Sequence, residues 1–167
     1  KYKILIWRLA LNQVDRCESS KMSKKASELT NAQKHEGGCA CGKVRYVVTG
    51  EPELAAVCHC EYCQQRTGSA FGVLVYFKTE NVEKLSGDLK GYEHQTDFGY
   101  RFNTEFCTNC GGTVYWLNNT KAGMTGISGG TFDPPTFWYK IQNEVFCLKK
   151  ADFVENRIPN KFDELPG

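Results

Sequence analysis

The sequence predicts a mainly β domain organised around bound metal. Three observations carry that expectation: strand-length apolar runs that alternate with period two, sixteen glycines to turn between them, and nine cysteines against three histidines. A chain of 167 residues is one domain's worth, long enough to bury roughly two thirds of its extended surface without covalent staples. Apolar residues make up 41% and charged residues 24%, a globular rather than a disordered balance. The formal charge of +2 argues against electrostatic capture of nucleic acid and against polybasic or acidic tails. An odd number of cysteines excludes a fully paired intramolecular disulfide framework.

Each element follows from local pattern. KVRYVVTG (43–50) places Val44, Tyr46 and Val48 on one face before a Gly-Glu-Pro turn, which is a strand. ELAAVCHC (53–60) is a second strand running into a cysteine group, and EYCQQRTG (61–68) holds one or two helical turns stopped at Gly68. SAFGVLVYFK (69–78) is strongly strand-like. Shorter strands are expected at Val82 to Leu85, Leu89 to Gln95, Phe98 to Phe106 and 111–119. MTGISGGTF (124–132) is Gly-rich and ambiguous, a strand with close backbone contacts being the favoured reading. The last third is expected to add one or two strands and then a covering tail. Phe132, Phe137, Trp138 and Tyr139 within it fit a core, a pocket wall or an interface. The organisation expected is a leader or flexible N-terminal segment over 1–35, a zinc-binding domain over 36–150, and a tail over 151–167 packed on it.

Before Gly37 the composition differs. The apolar run from Ile4 to Leu11 is interrupted by Arg8 and falls short of the roughly 20 residues a membrane span needs. No small-residue cleavage site follows it before Asp15, Arg16 and Glu18. Met22 is therefore expected to be the natural start and residues 1–21 a leader, with a short amphipathic docking segment as the alternative. Residues 23–35 are polar and are expected to be a flexible lead-in. No secretory pattern accompanies the clustered cysteines, which favours a reducing compartment, cytoplasmic or nuclear.

Seven of the nine cysteines form three groups: Cys39-Ala40-Cys41-Gly42, then Cys58-His59-Cys60-Glu61-Tyr62-Cys63, then Cys107-Thr108-Asn109-Cys110-Gly111-Gly112. Zinc takes thiolates tetrahedrally at about 2.3 Å, and a cysteine pair followed by glycine turns a chain sharply enough to supply two. Four and three suggest one closed four-cysteine site and one three-cysteine site with an open position. Spacing leaves the pairing open. Cys39 and Cys41 could join Cys107 and Cys110, which keeps the compact triplet whole, or join part of that triplet. An iron–sulfur cluster fits poorly, because seven is awkward and the spacings are not ferredoxin runs. His59 lies between two triplet cysteines and is as readily turned away as engaged. Cys17 and Cys147 receive no role, Cys147 being expected in the core.

The series GGCACGKVRY (37–46), CHCEYCQQRTGSAFG (58–72) and FCTNCGGTVY (106–115) closely resembles the glutathione-dependent formaldehyde-activating enzyme (GFA) family, which includes centromere protein V-like proteins. The resemblance spans roughly residues 36 to 148. It implies an Mss4-like fold of several small, coiled antiparallel sheets carrying two zinc ions. It also implies that Cys39, Cys41, Cys107 and Cys110 hold a structural zinc, and that Cys58, Cys60 and Cys63 hold a catalytic-type zinc. The three-ligand site is expected to bind more weakly and to fill only partly. Two departures stand out. Members often carry two basic residues after the third triplet cysteine, where this chain has Gln64 and Gln65 before Arg66. The basic residue and tryptophan common after the last strand are not reproduced in QNEVFCLKKADF.

The activity implied is that of a carbon–sulfur lyase run in reverse: glutathione and formaldehyde give S-(hydroxymethyl)glutathione. Three thiolates leave zinc with a net charge of −1, a poor generator of hydroxide but able to accept a fourth thiolate from a small thiol substrate. Arg66 is the candidate for a substrate carboxylate and Thr67 for a hydrogen bond to substrate, with capping of the helix end as the alternative for Thr67. No general acid or base is assigned; water and Tyr62 are the choices for protonating the carbonyl oxygen. A non-catalytic zinc module for protein interaction is the competing reading. A chromatin-associated factor is weaker, since only Lys24, Lys25 and Lys34 form a basic cluster. No membrane partner is expected, nucleic acid is disfavoured, and homo-oligomerisation is left open.

Overall fold

A computed structural model of the chain describes residues 33–96 and 99–166. The leader with Cys17 and Met22, nearly all of the polar lead-in, and Phe98 lie outside the described residues. Among those described the protein is mainly β, with one short α-helix. The strands are β1 (Lys34–Gly38), β2 (Arg45–Thr49), β3 (Leu54–Cys58), β4 (Gly72–Lys78), β5 (Val82–Ser86), β6 (Leu89–Gln95), β7 (Arg101–Cys107), β8 (Thr113–Asn118), β9 (Met124–Ser128), β10 (Asn143–Val145) and β11 (Asn160–Lys161). Helix α1 spans Glu61–Thr67.

They form two sheets: a three-stranded one in the order β1-β2-β5 and an eight-stranded one in the order β11-β10-β3-β4-β9-β8-β7-β6. The expectation of several small antiparallel sheets needs correction here. One sheet runs nearly the whole domain, and it is mixed, because β10 lies parallel to both β3 and β11. Strand β1 begins inside the last residues of the expected lead-in, since Lys34 and His35 pair with Thr49 and Val48. Its sequence, KHEGG, shows no alternation. Its requirement is space instead: a Cβ on Gly37 would lie 2.4 Å from the buried Tyr46 ring, so only glycine admits the backbone at that point.

Period-two alternation sorts β4 into two faces. Val73, Val75 and Phe77 face the smaller sheet and pack with Val44, Tyr46, Val48, Tyr115, Ile127 and Phe132. Gly72, Leu74 and Tyr76 face the opposite way, where Leu74 packs beside Cys58 and Cys63. Phe132 and Tyr139 are core residues, Trp138 stacks on His35, and Phe137 is exposed. The ambiguous glycine-rich segment resolves into β9 followed by one 3-10 turn at Gly129–Thr131. Within the C-terminal segment, Phe162 donates its N–H to the carbonyl of Glu144 and packs against the Cys58–Cys63 group.

Candidate metal centres

The structure brings the cysteines together as two separate groups. The ligand atoms of Cys39, Cys41, Cys107 and Cys110 lie within 4.8 Å of one another, and so do those of Cys58, Cys60 and Cys63. Of the two pairings that spacing leaves open, the chain adopts the one that keeps the triplet whole. Cys39 and Cys107 sit in the core between the sheets, whereas Cys58 and Cys63 pack on the opposite face of the larger sheet.

The four-cysteine group is made by two knuckles of the same design. Gly42 and Gly111 take positive φ of 74° and 71°, and their N–H groups return to the carbonyls of Cys39 and Cys107, each at 2.9 Å. Sulfur separations are 3.4 Å for Cys39–Cys41 and 3.8 Å for Cys41–Cys107. Four sulfurs about 2.3 Å from a tetrahedral centre would stand about 3.8 Å apart, so the group fits a zinc-sized ion. Burial resists ionisation of Cys39, but the N–H of Val44, at 3.3 Å, and bonds to Cys41 and Cys107 outweigh it and hold the thiol at about 6. The N–H groups of Gly112 and Cys41 likewise lower Cys110. Backbone donors aimed at sulfur favour the thiolate form a metal requires.

The three-cysteine group is assembled at the junction of β3 and α1. Cys58 ends the strand, Cys60 caps the helix by accepting the N–H of Cys63 at 3.4 Å, and Cys63 lies inside the helix. Bonds from Cys58 and then Cys63 bring Cys60 down to about 3. The same bonding, with burial, pushes Cys58 upward. Donation by Cys58 lowers Cys63, but Cys60 and burial override it and leave that thiol at about 12. Three sulfurs this close repel one another when ionised, so a cation among them favours the thiolate form, as in a thiolate metal site. Among the described residues no histidine, cysteine or carboxylate adds a fourth ligand atom to this group.

Arg66 is held beside it. Its guanidinium lies over the Trp116 ring at 4.8 Å and donates through Nη1 to Ser128 Oγ at 3.2 Å. A Cβ on Gly72 would lie 3.0 Å from Arg66 Nη2 and 3.5 Å from Cys63 Sγ, so the glycine leaves room for the cation and the sulfur at the same spot on β4. Trp116 is placed by another glycine: a Cβ on Gly126 would meet its Nε1 at 2.0 Å. Arg66 and Thr67 also border a cavity of about 430 Å³ whose lining includes Ser128, Gly129, Gly130 and Phe137 together with Cys110, Gly111 and Gly112. Thr67 Oγ1 donates to the carbonyl of Cys63 at 2.8 Å, which makes its hydroxyl a tie for the helix end.

Residues 34–149 match the sequence profile of the glutathione-dependent formaldehyde-activating enzyme family. The chain belongs to that family. It is also similar to a crystallised Rhodobacter sphaeroides protein, with 20% identity and a TM-score of 0.46 over 64% of this chain and 96% of that one. In this family member the departure at Gln64 has a structural role. Its Nε2 donates to the carbonyls of His59 and Lys149, both at 3.0 Å, tying the triplet turn to the C-terminal segment. His59 is not among the clustered ligand atoms; it is fully buried and bonds Glu144 instead. Tyr62 bonds Thr104 through its hydroxyl at 2.8 Å and stacks on His94 at 3.8 Å. Cys147 is only partly buried, its thiol directed to the Glu144 carbonyl. Sequence reasoning passed over His94 and Glu144, since an isolated histidine or glutamate carries no spacing signal. No helix among the described residues is long and apolar enough to cross a membrane.

Proposed function

We propose that the protein is a zinc-dependent enzyme of the carbon–sulfur lyase type that combines a small thiol, glutathione in the first instance, with formaldehyde to give S-(hydroxymethyl)glutathione. The observation that carries this reading is the three-sulfur group with the Arg66 guanidinium at its edge. Cys58, Cys60 and Cys63 would hold the catalytic-type zinc, and Cys39, Cys41, Cys107 and Cys110 the structural one, within the Mss4-like architecture that the family implies. When bound at the triplet, zinc supplies the positive charge that keeps a substrate sulfur ionised near neutral pH.

The chain's own residues account for recognition and confinement. Arg66 offers a planar, permanently charged fork to a carboxylate of the thiol. Its stacking on Trp116 and its bond to Ser128 fix the fork in advance, which reduces the entropy lost on binding. The adjoining cavity, with Gly111, Gly112, Gly129 and Gly130 in its lining, lets a peptide-like backbone approach closely, and Thr67 lines it too. In the reaction a carbon–sulfur bond forms and the thiol proton is transferred to the carbonyl oxygen of formaldehyde. Cytoplasmic or nuclear placement accords with a site built from reduced thiols.

The test is formation of S-(hydroxymethyl)glutathione followed by exchange NMR with zinc-loaded protein. Exchange faster than in buffer alone, and lost in Cys63→Ala, is the expected result. Exchange no faster than in buffer overturns the enzymatic reading and leaves the zinc module for protein interaction in its place.

A further inference from the structure

We infer that Glu144, acting through His59, is a positioning residue for the three-cysteine site; this rests on the reading of that group as a metal site. His59 stands between Cys58 and Cys60, and the C-terminal part of the chain fixes it at several points. Its N–H donates to the carbonyl of Val145 at 3.1 Å, continuing the parallel pairing of Val145 with Cys58. Its carbonyl accepts from Gln64, which also reaches Lys149. Its Nε2 bonds Glu144 Oε1 at 2.8 Å, with both side chains fully buried. Phe71 meets the ring edge-on at 5.8 Å.

Glu144 also meets one amide donor and two ammonium groups from the C-terminal segment. Asn156 Nδ2 donates to Oε1 at 2.6 Å, Lys150 Nζ lies 3.0 Å from the same oxygen, and Lys161 Nζ lies 3.5 Å from Oε2. A fully buried carboxylate, even with partners, commonly stabilises no better than a well-packed apolar residue would. What a carboxylate adds, and an apolar side chain cannot, is direction. It fixes the side chain of His59, the residue between two ligands in sequence, and thereby the course of the backbone that carries Cys58 and Cys60. Two lysines on one carboxylate also leave a net positive charge behind a cluster that is net negative with a divalent cation bound. Groups bonded directly to a metal's ligands typically govern affinity by about 10- to 100-fold, and Glu144, one step further out through His59, is expected at the low end of that range.

The test is chelator competition on the full chain loaded with Co²⁺, comparing wild type with Glu144→Gln and following thiolate-to-cobalt absorption. Wild type is expected to release two ions per chain in two steps. In Glu144→Gln the ion of the three-cysteine site should be released about tenfold more readily, with altered d–d bands, while the four-cysteine ion keeps its affinity. Unchanged affinity and bands at the three-cysteine site, whatever happens to thermal stability, would overturn the inference and leave Glu144 a packing element. Should Glu144→Gln fail to fold, Asn156→Ala removes one donor from a partly exposed position. It should weaken the three-cysteine site alone by several-fold, and unchanged affinity there overturns the inference equally. If wild type binds a single ion, the metal reading of the triplet itself fails and the inference falls with it.

Discussion

Arg66 is the side chain on which substrate recognition turns in this account. Replacing it with alanine removes a charge-assisted bond of about 1.5–3 kcal/mol. The KM for glutathione is expected to rise at least tenfold, with two zinc ions per chain retained; Arg66→Lys should recover only part, since an ammonium lacks the fork. Unchanged KM in Arg66→Ala contradicts that role. Gly126 is the residue beneath it. Gly126→Ala places a methyl group 2.0 Å from Trp116 Nε1, so denaturant titration should show a loss of about 1–3 kcal/mol. Glu144 supplies the pH dependence. Burial opposes its ionisation, but Asn156, Lys150 and His59 prevail and lower it from 4.5 to about 2. A depressed carboxylate stabilises the folded state above its unfolded value and loses that contribution as pH falls toward the folded one. The stability gap between wild type and Glu144→Gln should therefore narrow from pH 4.5 down to about 2. A gap that widens in acid would contradict the assignment of charge.

Elements divide the two cysteine groups by consequence. The four-cysteine group joins the turn between β1 and β2 to the turn between β7 and β8, residues 66 positions apart in sequence. The three-cysteine group lies within one strand–helix junction. Structural zinc in comparable sites contributes on the order of 10 kcal/mol to folding, so Cys41→Ala should lose dispersed NMR signals. Cys63→Ala should keep them while holding one zinc fewer by native mass spectrometry. The same contrast explains what could be read in advance. β2, β4 and β6 announce themselves by alternation or by strand-forming composition, and the cysteine groups by spacing. β1 does not, because Gly37 and Gly38 are there to admit Tyr46 and the Val44 carbonyl rather than to bury side chains. β10 is three residues long, too short for any period, and its parallel pairing depends on a partner 87 positions earlier. Arg66 stands out as the cation next to the triplet, but its stacking on Trp116 and its closeness to Cys63 arise from glycines on β4 and β9.

At the scale of the molecule, the larger sheet holds the two cysteine groups apart. One face carries the inter-sheet core with the four-cysteine group, and the other carries the triplet, α1 and Arg66. Seven thiolates and two divalent ions would take the formal +2 to about −1, so the proposed attraction for an anionic thiol has to be local, with Arg66 as its proposed source. Graded chelation should remove the triplet's ion first with the fold intact, and the second ion only together with unfolding, as followed by circular dichroism. The central claim is that the triplet binds metal and keeps a position for a substrate sulfur. Its most direct test is the absorption of Co²⁺-loaded protein with and without glutathione. Two cobalt ions per chain, with thiolate-to-cobalt absorption rising on glutathione addition as one ion gains a fourth sulfur, is the result this account requires. A spectrum unchanged by glutathione, or a single cobalt per chain, would contradict it.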